Sequence, residues 1–176
     1  MKTIIVLAMH GAPPNDFPPR ETAELFGLHT RLEHLRGPER AALERRHMEL
    51  EANMRAWPRT AQNDPFRAGS LELADHLRRA TGLEVIVGFN EFCAPDLDEA
   101  FDQAVARGAQ SIIVVTPMMT RGGGHSETDI PAAIQRAKER HPQIPMLYVW
   151  PFDAAEVARF LAAQMERALD ATREPA

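Results

Sequence analysis

The sequence predicts a three-layer α/β/α fold, a mainly parallel four-stranded sheet with helices on both faces. Three observations predict it. Four short runs are dense in β-branched and apolar residues without strict alternation, as expected of strands covered on both faces. Segments with apolar residues at helical spacing separate those runs, so strand and helix alternate in the manner of βαβ units. The 176 residues, 44% hydrophobic and 26% charged, suit one ordinary globular domain with a real core.

The first strand is read at Thr3–Met9. Residues 12–65 then break the rhythm, because a strand-to-helix loop normally takes only a few residues. This insertion opens with Pro13, Pro14, Pro18 and Pro19 and continues as two helical patterns, 21–35 and 38–57, divided by Gly37-Pro38. The second pattern aligns Leu43, His47, Leu50, Met54 and Trp57 on one stripe. A helical hairpin is therefore expected, either as decoration or as a lid or wall of a site.

A helix follows at 71–80, with Leu73, Ala74 and Leu77 on one face and Thr81-Gly82 as its stop. The second strand is read at Glu84–Phe89 and the next helix at Leu97–Ala106, through Leu97, Phe101 and Val105. The third strand is placed at 111–117 and a helix at Ile130–Arg140, where Asp129 is expected as N-cap before Ile130-Pro131. A fourth strand at 146–150 leads to a helix at 157–169 carrying Val157, Phe160, Leu161, Met165 and Leu169. Residues 172–176 are expected to fray.

Composition narrows the function classes. Lys and Arg number 20 against 25 Asp and Glu, a net charge of −5, so neither nucleic acid nor an anionic membrane is an expected partner. Cys93 is the only cysteine, which excludes an intrachain disulfide, a CxxC redox pair, an all-cysteine zinc site and a cysteine-held iron–sulfur cluster, and fits a reducing cytoplasm. The apolar opening at 4–9 is shorter than a signal-peptide core, so no targeting or membrane-spanning segment is expected.

Open α/β sheets bind ligands at the carboxyl ends of their strands, so the polar residues just beyond each strand carry the most information. Three stand out: His10 after the first strand, Glu91 after the second, and His125 after the third, behind Thr120-Arg121-Gly122-Gly123-Gly124. Two imidazoles and a carboxylate at one edge suit Fe, Co, Ni or Zn in the divalent state and leave coordination positions open. His29, His34, His47, His76 and His141 fall in or beside helical patterns and are left unassigned. Gly122-Gly123-Gly124 lacks the spacing of a dinucleotide fingerprint or P-loop; its use is close backbone approach, with free amides favouring negative charge. Ser126 lies in no GxSxG elbow, which argues against a serine nucleophile, and Cys93 reads as a small buried residue. Trp150-Pro151-Phe152 reads equally as core packing or as an apolar wall for a flat ligand.

These residues resemble those of the class II chelatases of the CbiX or SirB type, which act on sirohydrochlorin. The resemblance rests on His10-Gly11, Phe89-Asn90-Glu91-Phe92 leading to Pro95-Asp96-Leu97, Ala106-Arg107-Gly108-Ala109 before Ile112-Ile113-Val114-Val115, and Gly123-Gly124-His125 followed by Asp129-Ile130-Pro131. It implies insertion of Co²⁺ or Fe²⁺ (Ni²⁺ in some relatives) into a tetrapyrrole, with the metal as substrate, no organic cofactor, and a homodimer. His10, Glu91 and His125 match the metal-binding catalytic set. Arg121, Gly122, Gly123, Gly124, Ser126 and Trp150 are the expected substrate contacts. A non-catalytic metal or tetrapyrrole binder on the same scaffold is the alternative, favoured by Ala12-Pro13-Pro14 where the family usually carries a serine and a basic residue.

Overall fold

The computed structural model describes residues 1–173, so the tail expected to fray lies partly outside the described residues. The elements run β1 (Thr3–Met9), α1 (Pro19–His34), α2 (Pro38–Ala56), α3 (Pro65–Thr81), β2 (Glu84–Phe89), α4 (Leu97–Ala106), β3 (Ser111–Val115), a π-helical turn (His125–Asp129), α5 (Ile130–Arg140), β4 (Met146–Tyr148) and α6 (Ala154–Ala171). The four strands form one parallel sheet in the order β2-β1-β3-β4. The chain leaves β1 towards β2 and returns past it to β3, which makes the carboxyl ends of β1 and β3 the switch point where such sheets bind ligands. Among the described residues, no helix is long and apolar enough to cross a membrane.

The main core lies between the sheet and helices α4 and α5. Ile4, Val6, Ala8, Ile112 and Val114 point into it and meet Leu97, Phe101, Ile130 and Ile134. Helix α4 begins on a reciprocal capping box, Asp96 accepting from the amide of Glu99 while the Glu99 side chain accepts from that of Asp96. Gly88 lets α4 lie close: a Cβ there would stand 2.8 Å from that of Ala100. On the opposite face α3 covers the β2 side through Ala74 and Leu77 against Leu7, Val87 and Phe89.

That second face is only half covered. Across the register Ile5–Ile113–Leu147, exposure rises from 4% at Ile5 to 61% at Leu147 on the β4 edge. Helix α6, the element expected to shield it, buries none of its residues, and its stripe of Phe160, Leu161, Met165 and Leu169 stands in water.

Several boundaries differ from expectation. Strands β3 and β4 stop short of the expected 117 and 150, because the Thr116 hydroxyl accepts from the amide of Met118 and turns the chain, and Pro151 has no amide to offer. Helix α3 starts at Pro65 rather than at 71, where Asp64 caps it by accepting from the amide of Arg67 at 2.8 Å. Asp129 is not an N-cap: its backbone is already helical, and its side chain bonds elsewhere. Helices α1 and α2 form a hairpin with a core of its own, Leu25, Leu28, Leu50 and Met54 with Phe17, and Arg46 joins them through a bidentate pair with Glu24.

Candidate metal centre

His10 and Glu91 are brought together by the ladder that outlasts strands β1 and β2. The amide of Asn90 donates to Met9 O at 2.9 Å and that of Glu91 to His10 O at 3.0 Å, while the Asn90 side-chain amide donates to Met9 O at 2.8 Å. Gly11 is required at the crossing. It has φ +106°, and a Cβ there would lie 1.8 Å from Glu91 O, so no other residue fits without displacing the Glu91 loop. Phe92, next to Glu91, is held at φ 60° in the left-handed region.

His125 arrives from the far side of the switch point as the first residue of the π-helical turn, a geometry often found at functional sites. Its Nδ1 lies 2.6 Å from an Asp129 carboxylate oxygen and its Nε2 lies 3.4 Å from Glu91 Oε1. With the proton on Nδ1 donated to Asp129, Nε2 is left as the lone-pair nitrogen. His10 turns its other ring nitrogen to the cluster: its Nδ1 stands 2.8 Å from Gly11 O and 3.1 Å from Glu91 Oε1. The two rings meet edge to face with centroids 4.4 Å apart. One donor atom from each of His10, Glu91 and His125 falls within 4.8 Å of the others, a spacing that a single cation with bonds of about 2.0–2.2 Å can span.

A cavity of about 420 Å³ opens beside this cluster, lined on one side by Glu91, Phe92, His125 and Asp129 and on the other by hairpin residues including Phe26, His29 and His47. Arg59 fixes the hairpin to the sheet. Its buried guanidinium donates to Ala12 O and Met54 O at 2.8 Å and also to Phe92 O, and it pairs with the buried carboxylate of Asp64 at 2.5 Å. One side chain thereby joins the loop after β1, the end of α2, the start of α3 and the residue next to Glu91.

The expected substrate contacts fare unevenly. Ser126 is fully buried and its hydroxyl donates to Gly123 O at 3.2 Å, so its side chain faces the turn it stabilises and offers no contact to a ligand. The Gly122 amide is taken by Glu127 Oε1 at 2.9 Å, with Arg121 Nε 3.6 Å from the same oxygen, so an internal carboxylate fills the anion-favouring loop. Gly123 and Gly124 are exposed beside it. Trp150 stacks on Tyr148, donates to Met118 O at 3.0 Å and lies under the Arg121 guanidinium; it does not line the cavity beside Glu91 and His125. The Tyr148 hydroxyl donates to Ser126 O at 3.1 Å, tying β4 to the His125 turn, and burial pushes its pKa up to about 12.

Sequence reasoning missed three residues. His125 and Asp129 stand four apart, the spacing of side-chain neighbours on one helical face, which signals the orienting pair once the turn is read as helical. Asp64-Pro65 is a helix-start signature. Arg59 carried no signal, because its partners are mostly carbonyl oxygens remote in sequence.

Comparison with known proteins bears on the same segments. The CbiX family model matches residues 62–168. A sirohydrochlorin cobaltochelatase of Priestia megaterium is 41% identical over 70 residues, covering 40% of this chain and 22% of that protein. A sirohydrochlorin ferrochelatase of the same organism is 36% identical over 70 residues, covering 40% and 26%. The chain thus matches about a quarter of the length of these relatives. A CbiX protein from Marinobacter aquaeolei VT8 shares the fold at 15% identity, with a TM-score of 0.55 over 96% of this chain and 98% of that one. The family match runs from the start of α3 into α6, with Glu91 and His125 inside it, and the chain belongs to the CbiX family.

Proposed function

We propose that this protein is a tetrapyrrole chelatase that inserts Co²⁺ or Fe²⁺, with Ni²⁺ as a further candidate, into sirohydrochlorin or a related macrocycle. The observation that carries the reading is the convergence of His10, Glu91 and His125 within 4.8 Å at the switch point of the sheet. Insertion requires a weakly held ion, removal of two pyrrole protons, and a macrocycle bent so that its nitrogens face the ion. The imidazoles of His10 and His125 hold the ion on one side and leave positions free for incoming nitrogens. Glu91, facing both imidazoles, completes the set, and its carboxylate takes the two pyrrole protons in succession, releasing each to solvent, as the ring nitrogens replace it at the metal. The test is metallation of free-base sirohydrochlorin followed by absorbance: His10→Ala and His125→Ala should each abolish it with the fold intact. Full rates in both variants defeat the reading; stoichiometric uptake without turnover in the unaltered protein selects the non-catalytic carrier instead.

The proposed assembly is a homodimer working in the cytoplasm, the setting that suits the single buried thiol of Cys93. Support for the dimer comes from the bare β4 edge and the bare stripe of α6, two apolar faces that complement each other in a second copy. Leu147, Val149, Phe160, Leu161, Met165 and Leu169 leave on the order of 600 Å² in water, or about 1,200 Å² over two copies, which reaches the lower bound for a stable interface.

A further inference from the structure

The hairpin contributes a second set of donors to the cleft. His29 on α1 and His47 on α2 place their ring centroids 5.8 Å apart at an interplanar angle of 34°. With metal–nitrogen bonds of about 2.1 Å, two imidazoles on one ion have centroids roughly 4.5–6 Å apart, so the ring separation admits a shared cation once the side chains rotate to converge their nitrogens. Glu51 lies one turn beyond His47 on α2, with its Oε2 3.8 Å from His47 Nδ1. The other oxygen of Glu51 is held by Arg55, whose Nη2 donates to it at 2.8 Å and whose Nη1 donates to Cys93 O at 3.0 Å. Glu51 is thus braced from behind while its other oxygen faces the His47 imidazole. All three residues line the same cavity as Glu91 and His125.

Charge decides which ligand fits. The cavity lining carries three carboxylates, Glu51, Glu91 and Asp129, and no Lys or Arg, while Arg55 behind it is already engaged by Glu51. A divalent cation is attracted to such a wall. Two imidazoles and a carboxylate select borderline metals such as Co²⁺, Fe²⁺, Ni²⁺ or Zn²⁺ over Mg²⁺ or Ca²⁺.

We propose that His29, His47 and Glu51 form a second divalent-cation site, a holding station on the hairpin from which an ion crosses the cleft to His10, Glu91 and His125. Binding at this station stands on the geometry alone; its role as a source of ions rests on the chelatase reading. The test is a Co²⁺ titration of the full chain at neutral pH by calorimetry and visible absorption, free of any tetrapyrrole. The unaltered protein should take up two Co²⁺ per chain. His29→Gln/His47→Gln and His10→Ala/His125→Ala should each take up one, and the four-fold variant none, with circular dichroism confirming the fold of each. Mg²⁺ in excess should displace neither. The proposal is overturned if the unaltered protein binds one Co²⁺ that only the His10→Ala/His125→Ala change removes, or if the four-fold variant still binds two. Absence of metallation activity alongside two bound Co²⁺ defeats the chelatase reading and leaves the second site standing.

Discussion

Asp129 accepts a hydrogen bond from Nδ1 of His125 at 2.6 Å, across one turn of the same helical segment. The carboxylate holds the ring in the tautomer that presents Nε2 to Glu91, the arrangement by which outer partners tune metal ligands. Asp129→Ala should weaken Co²⁺ binding at the cluster by about 10–100-fold, and Asp129→Asn, whose amide oxygen still accepts, should recover a large part of the loss. Titration of both variants in the His29→Gln/His47→Gln background isolates the effect; unchanged affinity for Asp129→Ala removes Asp129 from this role.

Arg59→Ala leaves the buried Asp64 carboxylate without its partner and strips the hydrogen bonds from three carbonyls at once. A broken buried pair costs about 3–5 kcal/mol. Arg46→Ala, which removes the exposed bridge between α1 and α2, should cost at most about 1 kcal/mol. Urea denaturation of the two variants should separate them clearly, and equal losses would mean that Arg59 is not the anchor of the hairpin.

Tyr148 is the only tyrosine in the chain, so its ionisation is readable by ultraviolet absorbance without ambiguity. An unperturbed tyrosine ionises near 10, whereas burial pushes Tyr148 up to about 12. The folded value lies above the unfolded one, so the contribution to stability is intact below pH 10 and is lost as pH rises through about 12. A tyrosinate transition near pH 10 in the folded protein contradicts the half-buried placement and the bond to Ser126.

Substituting Phe160 and Leu161 together by aspartate should convert a dimer to monomers, seen by sedimentation velocity, with helix content unchanged. The effect should be large, because these residues lie on the bare stripe of a helix that buries nothing of its own. A protein that is monomeric before substitution shows that α6 has another partner or none.

The sheet was readable in the sequence because β1 and most of β2 are buried on both faces: Ile4 to Ala8 and Val85 to Val87 form apolar runs no other element explains. Helices α4 and α5 were readable to the residue, since Asp96 and Glu99 form a capping box and His141-Pro142 follows the last turn of α5. The joint placement of His10, Glu91 and His125 followed from the rule that ligands gather at strand ends. Asp129 was misassigned because a carboxylate before Ile130-Pro131 has the composition of a cap, and only the helical backbone of the preceding turn reveals its other use. Ser126 was misplaced for a related reason: a π turn folds its side chain inward, where an open loop would have displayed it. Nothing local in Arg59 distinguishes a surface arginine from a buried one.

Each of the three donors follows a different strand, β1, β2 and β3, so an ion captured there stitches together segments that unfolding would scatter. Such an ion at a hundred times its dissociation constant adds about 2.7 kcal/mol to the folded state. Sturdiness and handover therefore pull in opposite directions. A substitution that grips the ion harder raises the melting temperature while slowing its release to an acceptor, and a looser grip does the reverse.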